Sequence, residues 1–266
     1  MAIQPDPPGT EGSAAPADRR RTGWRFGITL LALFVGTAGL AASVAGVSAQ
    51  LLPRKFTAQQ QQQIVGWEMA RRWRAMTAGE IFPASITYQL PAAALGASSE
   101  LPLQAYRVGI FRETSCRAGS DPLAARVLIA DRCTAVLRAT YADETDSMLV
   151  TVGVAVMPGD NAARAAASKL SDGQAPQPGV RAVPFPATLA RAFGDRERQL
   201  SWAVSSGPYL IMSTAGYADG RPEVQMSTDL YTDQEMTSFA TGVAEAVSAP
   251  LGAQPPPPRC PGAPGC

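Results

Sequence analysis

The chain of 266 residues contains no histidine, and of its 23 basic residues only Lys55 and Lys169 are lysine. The first absence removes Ser-His-Asp and Cys-His catalysis, histidine-containing zinc sites and histidine-based sensing near neutral pH. Any enzymatic reading must use carboxylates, tyrosine, lysine or an unassisted nucleophile. The second, with abundant Ala, Gly and Pro, reads as a high-G+C coding bias rather than phosphate recognition. Four cysteines, Cys116, Cys133, Cys260 and Cys266, are spaced too widely for a C-x₂-C metal ligand set. There is no G-x-S-x-G elbow, phosphate-binding glycine loop or dinucleotide fingerprint. The net charge of +1 divides into four basic and three acidic residues in 1–52 and 19 of each sign beyond it. A domain so balanced has none of the basic excess of a nucleic-acid binder, so no nucleic-acid partner is expected.

What stands out is a run of 27 residues, 26–52, with no charged side chain, preceded by Arg19, Arg20, Arg21 and Arg25. As an α-helix it is roughly 40 Å long at ~1.5 Å per residue, enough to cross a bilayer core of ~30 Å. Four arginines before the run against Arg54 and Lys55 after it orient the N-terminus inward and the C-terminal domain outward. The partner expected for 26–52 is therefore the lipid bilayer. Localisation follows: a single-pass membrane protein with an extracytoplasmic domain. The alternative is secretion after cleavage near Ala49, since Val47-Ser48-Ala49 loosely fits a small-residue peptidase site. The run's length and the interfacial Trp24 and Phe26 favour a retained signal anchor.

The domain organisation expected is a disordered cytoplasmic tail over 1–22, a transmembrane helix over 23–52, a juxtamembrane helix over 53–78, an α+β domain over 79–249 and a Pro/Gly-rich tail over 250–266. All four cysteines fall on the outer side, where disulfides persist. Cys116 with Cys133 is the favoured pairing, both lying inside the folded part. Cys260 and Cys266 are left to pair with each other or across chains.

Thr57 is the expected N-cap of the first helix, which carries Val65, Met69, Trp73 and Met76 on one face, and Gly79 is its expected C-terminal stop. A strand is expected over 81–90, a loop over 91–103 and an ambiguous stretch, read as a short helix, over 103–112. Asp121-Pro122 opens a helix to about Arg132. Hairpins are predicted for 134–141 with 148–157 and for 199–205 with 209–215. Helices are predicted over 162–170 behind an Asp160 cap, over 187–193 and over 232–247, and 171–186 reads as irregular. The fold class is thus α+β, an antiparallel or mixed sheet with helices packed on it behind one N-terminal transmembrane helix.

Three groups merit weighing as sites. Asp143, Glu144 and Asp146 form the densest carboxylate cluster, but lack EF-hand spacing and read as an ordinary hairpin turn. Asp219-Gly220-Arg221 reads as a turn with an arginine beside it. Arg138 and Tyr141, three apart on a strand, point to opposite faces, one inward and one to solvent. No catalytic, cofactor-binding or metal residues are assigned, and no cofactor is expected. The stretches 73–84 (Trp73-Arg74-Ala75-Met76 through Pro83-Ala84) and 208–221 (Pro208-Tyr209 through Gly220-Arg221) resemble uncharacterised actinobacterial single-pass membrane proteins. That resemblance implies a cell-envelope location. The function expected is a non-enzymatic interaction, scaffold or sensing module with a protein partner in the envelope. The alternatives are a histidine-independent hydrolase using two carboxylates and a subunit of a secretion or surface-assembly complex.

Overall fold

Six antiparallel strands form one sheet in the order β1-β2-β3-β4-β6-β5: β1 Ser85–Leu90, β2 Leu101–Thr114, β3 Ala135–Asp143, β4 Met148–Val156, β5 Arg198–Ser206 and β6 Tyr209–Tyr217. The computed structural model describes residues 55–92, 98–171, 177–222, 230–256 and 258. The chain divides into two units, Met1–Lys55 with Cys260–Cys266, and Phe56–Arg259, and apart from Lys55 all that is described belongs to the second. The expected cytoplasmic tail, transmembrane span and Cys260–Cys266 pair lie outside the described residues. Among the described residues no helix is long and apolar enough to cross a membrane.

The helices are α1 Ala58–Ala75, α2 Ala78–Ile81, α3 Cys116–Gly119, α4 Pro122–Ala130, α5 Asp160–Leu170 and α6 Leu230–Gly252, with a 3₁₀ turn at Leu189–Ala192. Their starts follow local chemistry. Thr57 closes a capping box with Gln60, and Thr77 does the same with Glu80. The second box ends α1 at Met76 and places Gly79 inside α2 rather than at a helix stop, and β1 begins only at Ser85. The helix expected over 103–112 is instead the middle of the 14-residue β2. Two register shifts against β3, at Arg107/Gly109 and Phe111/Thr114, break its alternation and hide the strand period. Asp160 is the first residue of α5 rather than its cap, which falls on Gly159 without a side-chain bond. Pro250 lies inside α6, so the helix continues past the expected start of the tail.

One sheet face is covered by α6 and α1. Met236, Phe239, Ala240, Val243, Ala244, Val247 and Leu251 recur at helical spacing and are all buried. They pack on Ile86, Tyr88, Val152, Val154 and Ile211. Gly242 permits the close crossing over β1, because a Cβ there would lie 2.4 Å from Tyr88 Cβ. α1 is keyed to the sheet by Tyr209, whose hydroxyl accepts from Trp73 N at 3.2 Å and donates to Met69 O, the two groups of one helical rung. Arg72 Nη1 donates to the carbonyls of Pro250 and Leu251, both at 3.1 Å, satisfying the open C-terminal end of α6.

The opposite face carries α3, α4 and α5, together with a strap of non-helical chain, residues 179–185, laid across the strands. Beneath the strap the sheet is cleared by glycine: a Cβ on Gly153 would lie 2.6 Å from Val180, and one on Gly109 would lie 2.4 Å from the Phe185 ring. The strap lies outside the helices and strands and is joined to the α3–α4 junction by an isolated Ser120–Val180 bridge, so its remaining backbone groups must find partners elsewhere. The strands supply them. Thr214 Oγ1 donates to Val180 O at 2.7 Å, Thr140 Oγ1 donates to Val183 O at 3.0 Å, and Val183 N donates to Thr151 Oγ1 at 3.0 Å. Thr140 and Thr151 are themselves 2.9 Å apart. Since Val183 O takes the Thr140 proton, Thr151 is the donor between the two hydroxyls, and the ring closes on itself.

Candidate functional site: an arginine-lined pocket beside the strap

Asp121 organises this corner of the molecule. Its Oδ1 accepts from Leu123 N and Ala124 N, both at 2.9 Å, capping α4. Its Oδ2 accepts from Gly179 N at 2.6 Å and from Arg198 Nη1 at 2.8 Å. With side chains 8% and 13% exposed, the Asp121–Arg198 pair is nearly dry. It ties the α4 start, the strap and the edge strand β5 into one unit. The expected partners Cys116 and Cys133 lie at disulfide distance with Cα atoms 6.2 Å apart, bracketing α3 and α4.

Above this frame lies a pocket of about 740 Å³, with Arg117, Arg126 and Arg181 on its wall and Pro122, Ala125 and Ile129 on its apolar side. Among the described residues no carboxylate lines it. Arg181, brought in by the strap, is braced from two sides: Nε donates to Ser120 O at 2.9 Å and Nη1 to Asp195 Oδ2 at 3.0 Å. Behind it Arg138 is buried, 6% exposed, stacked at 4.8 Å over Phe111. Among the described residues its one hydrogen bond is a long one, Nη1 to Arg181 O at 3.4 Å, and its Nε has no partner. Burial pulls the Arg138 guanidinium below its usual range, with Asp195 opposing that and Arg181 adding to it. It stays cationic, since arginine keeps its proton in proteins.

The expected carboxylate cluster serves the β3–β4 turn. Asp143, 1% exposed, accepts from Met148 N at 2.6 Å, Thr145 N at 3.2 Å and the Ser147 hydroxyl at 3.1 Å. Glu144 accepts from Gln104 N at 3.1 Å across the sheet, and Asp146 turns the chain at φ 57°. Among the described residues no group of three or more Cys, Asp or Glu gathers as a metal site. Asp219 and Arg221 pair with each other at 2.5 Å, and Arg221 lies 4.4 Å over Tyr217. That guanidinium holds the Asp219 carboxyl below the usual range. Arg138 and Tyr141 do face opposite sides of β3, but neither reaches solvent, because both faces are covered. Tyr141 donates to Pro83 O at 2.9 Å, and burial pushes its hydroxyl pKa up.

Comparison with known proteins finds no matching family model, curated protein or solved structure. The site is therefore read from its own chemistry. Planar guanidinium groups bind oxyanions through paired N–H donors, and a wall with several of them and no acid of its own suits an anionic ligand. Sequence reasoning passed over Arg117, Arg126 and Arg181 because arginine abundance looked compositional. The one local hint was the cysteine pair enclosing two of them. A second depression, of about 480 Å³, lies beneath α2 and is largely apolar, with Trp73, Met76, Ile81, Phe82 and Ile110 around it and Glu113 at its edge.

Proposed function

We propose that this chain is a membrane-tethered, non-enzymatic interaction module whose folded domain sits on the outer side of the cell membrane. The tether is the uncharged run 26–52 with its arginine flank. The outward placement is supported by the Cys116–Cys133 pair at disulfide distance, a bond that persists in oxidising compartments. The envelope of an actinobacterium as its setting rests on the resemblance over 73–84 and 208–221 alone.

The observation that carries the binding role is the state of the carboxylates. The alternative of a hydrolase using two carboxylates needs them facing one another across roughly 5–9.5 Å of a cleft. The arginine pocket holds none and the apolar depression holds Glu113 by itself. The buried acids Asp121 and Asp143 have both oxygens engaged by backbone and side-chain donors. What the surface offers is recognition: a basic pocket and an apolar depression on a braced scaffold.

The test is extraction of membranes containing the full chain, with intact mass and crosslinked co-purification. The expected result is a product that leaves the membrane only with detergent, retains its N-terminal 52 residues, and captures a protein partner through the outer domain. A soluble product beginning at Gln50 would overturn the tether. Turnover of an envelope substrate by the purified chain would overturn the binding role.

A further inference from the structure

Polar side-chain atoms that are buried without a partner are rare, because each costs the hydrogen bond it had in water. Three such atoms are present among the described residues: Ser120 Oγ, Arg138 Nε and Ser213 Oγ. Two of the three belong to residues bonded directly to Arg181, which takes its brace from Ser120 O and gives its own carbonyl to Arg138. Unmet hydrogen-bonding capacity is thus concentrated behind one wall of the pocket. The charge is concentrated there too. Among the described residues, the ion pairs of Arg117, Arg126, Arg138, Arg181 and Arg198 are two: Asp121 with Arg198, and Asp195 with Arg181. Five cations against two anions leave a local excess of three within a domain that is balanced overall. Neither Arg117 nor Arg126 enters an ion pair with any described residue.

We propose that the pocket bounded by Arg117, Arg126 and Arg181 binds the phosphate group of an organic phosphate ester whose apolar portion rests on Pro122, Ala125 and Ile129. Arg181 is held by two fixed contacts, so its placement costs little on binding. Arg117 and Arg126 close from the exposed side, and Arg138 adds a buried positive charge behind the wall, where water screens it poorly. Ile129 is 43% exposed, an aliphatic side chain left open beside cationic groups, which is why an ester is favoured over the bare ion. The volume of about 740 Å³ falls within the ~300–1,000 Å³ usual for small-molecule sites. The ester has two sources, a soluble metabolite or a lipid headgroup in the neighbouring bilayer, and both present the same group to the arginines.

The experiment is calorimetric titration of the full chain in phosphatidylcholine nanodiscs, using butyl phosphate and inorganic phosphate as probes. Butyl phosphate should bind more tightly than inorganic phosphate, and the double substitution R117Q/R126Q should weaken it at least about tenfold, the loss of one charge-assisted contact. Both side chains are exposed and pair with no acid among the described residues, so the variant should keep the wild-type unfolding midpoint. I129S should lower affinity for butyl phosphate and leave inorganic phosphate unchanged. Repeating the titration in discs containing phosphatidylglycerol separates the sources: competition identifies a headgroup, and its absence a soluble ester. Absence of binding by both probes, or binding that R117Q/R126Q leaves intact, would overturn the proposal. Either result leaves the membrane-tether reading untouched, since the one experiment reads the pocket and the other the anchor.

Discussion

The same sheet is covered in two ways, and the difference lies in where the covering backbone finds its hydrogen bonds. On one face α6 satisfies most of its amides and carbonyls internally, with outside donors only near its C-terminal end, where Ser206 reaches Ser248 O and Arg72 reaches Pro250 O and Leu251 O. Its buried stripe is therefore apolar, with Phe239, Ala240, Val243, Ala244 and Val247 fully buried. On the other face the strap has no internal ladder. The strands beneath it give up hydrophobic positions to Thr140, Thr151, Ser201 and Thr214, all buried, and give up side chains altogether at Gly109 and Gly153. A helix thus asks of its sheet only shape and apolar area, whereas an irregular segment asks for donors and acceptors at fixed points. The first kind of cover resists loss of volume poorly; the second resists loss of a single hydroxyl poorly.

Deleting volume on the helical face should produce the largest effect. Phe239 is completely buried, with its ring centroid 5.3 Å from that of Tyr88. Phe239→Ala leaves a cavity between α6 and β1 that neither Gly242 nor the neighbouring alanines can fill. The expected loss is about 3–5 kcal/mol, read as a lower urea midpoint with unchanged slope. A loss below about 1 kcal/mol would mean that this face is not the principal core.

The strap should respond to a change of almost no volume. In Thr214→Val the shape is nearly kept, but Val180 O loses its 2.7 Å donor, and Ser201 Oγ loses its partner at 3.4 Å. The cost expected is about 1–3 kcal/mol, that of one buried acceptor left unsatisfied. Native-state amide exchange locates it: Gly179, Arg181 and Val183 should exchange faster while amides of α6 keep their protection. Equal loss of protection on both faces would abolish the distinction between the two covers.

The contrast also explains what was legible in the chain beforehand. The hairpins β3–β4 and β5–β6, the capped starts at Thr57 and Asp121, and the pairing of Cys116 with Cys133 all depend on neighbours close in sequence or on element type. β2 was misread because its register slips twice, at Arg107/Gly109 and Phe111/Thr114, so that no single period runs through it. The strap was unreadable for a different reason. It ends a stretch, 171–186, that reads as irregular because it is rich in Pro, Gly and Gln, and its partners Thr140, Thr151 and Thr214 lie between 32 and 43 residues away. The arginine pocket shares that difficulty: the strap delivers Arg181 to a wall whose other arginines come from α3 and α4. Long-range satisfaction of polar groups leaves little local trace, whereas apolar helical spacing leaves a strong one.

The smallest expected effect concerns a half-buried charge on the helical face, Glu235 of α6. Strap-face Asp121 is paired with the Arg198 guanidinium at 2.8 Å, whereas Glu235 has the Asp143 carboxylate acting on it. Burial first, and then the Asp143 carboxylate, raise the Glu235 pKa above its ordinary value of 4.5. The folded protein therefore holds this proton to higher pH than the unfolded chain does. By linkage, its contribution is neutral below 4.5 and becomes a cost as pH rises from there through the raised folded value. Glu235→Gln removes that cost. Unfolding free energies of the two proteins should coincide at acid pH and separate in favour of the variant towards neutrality, by less than about 1 kcal/mol because solvent screens a half-exposed group. A difference that is constant with pH, or that favours the wild type at neutrality, would place Glu235 in a compensated environment like that of Asp121, and the two faces would then treat charge alike.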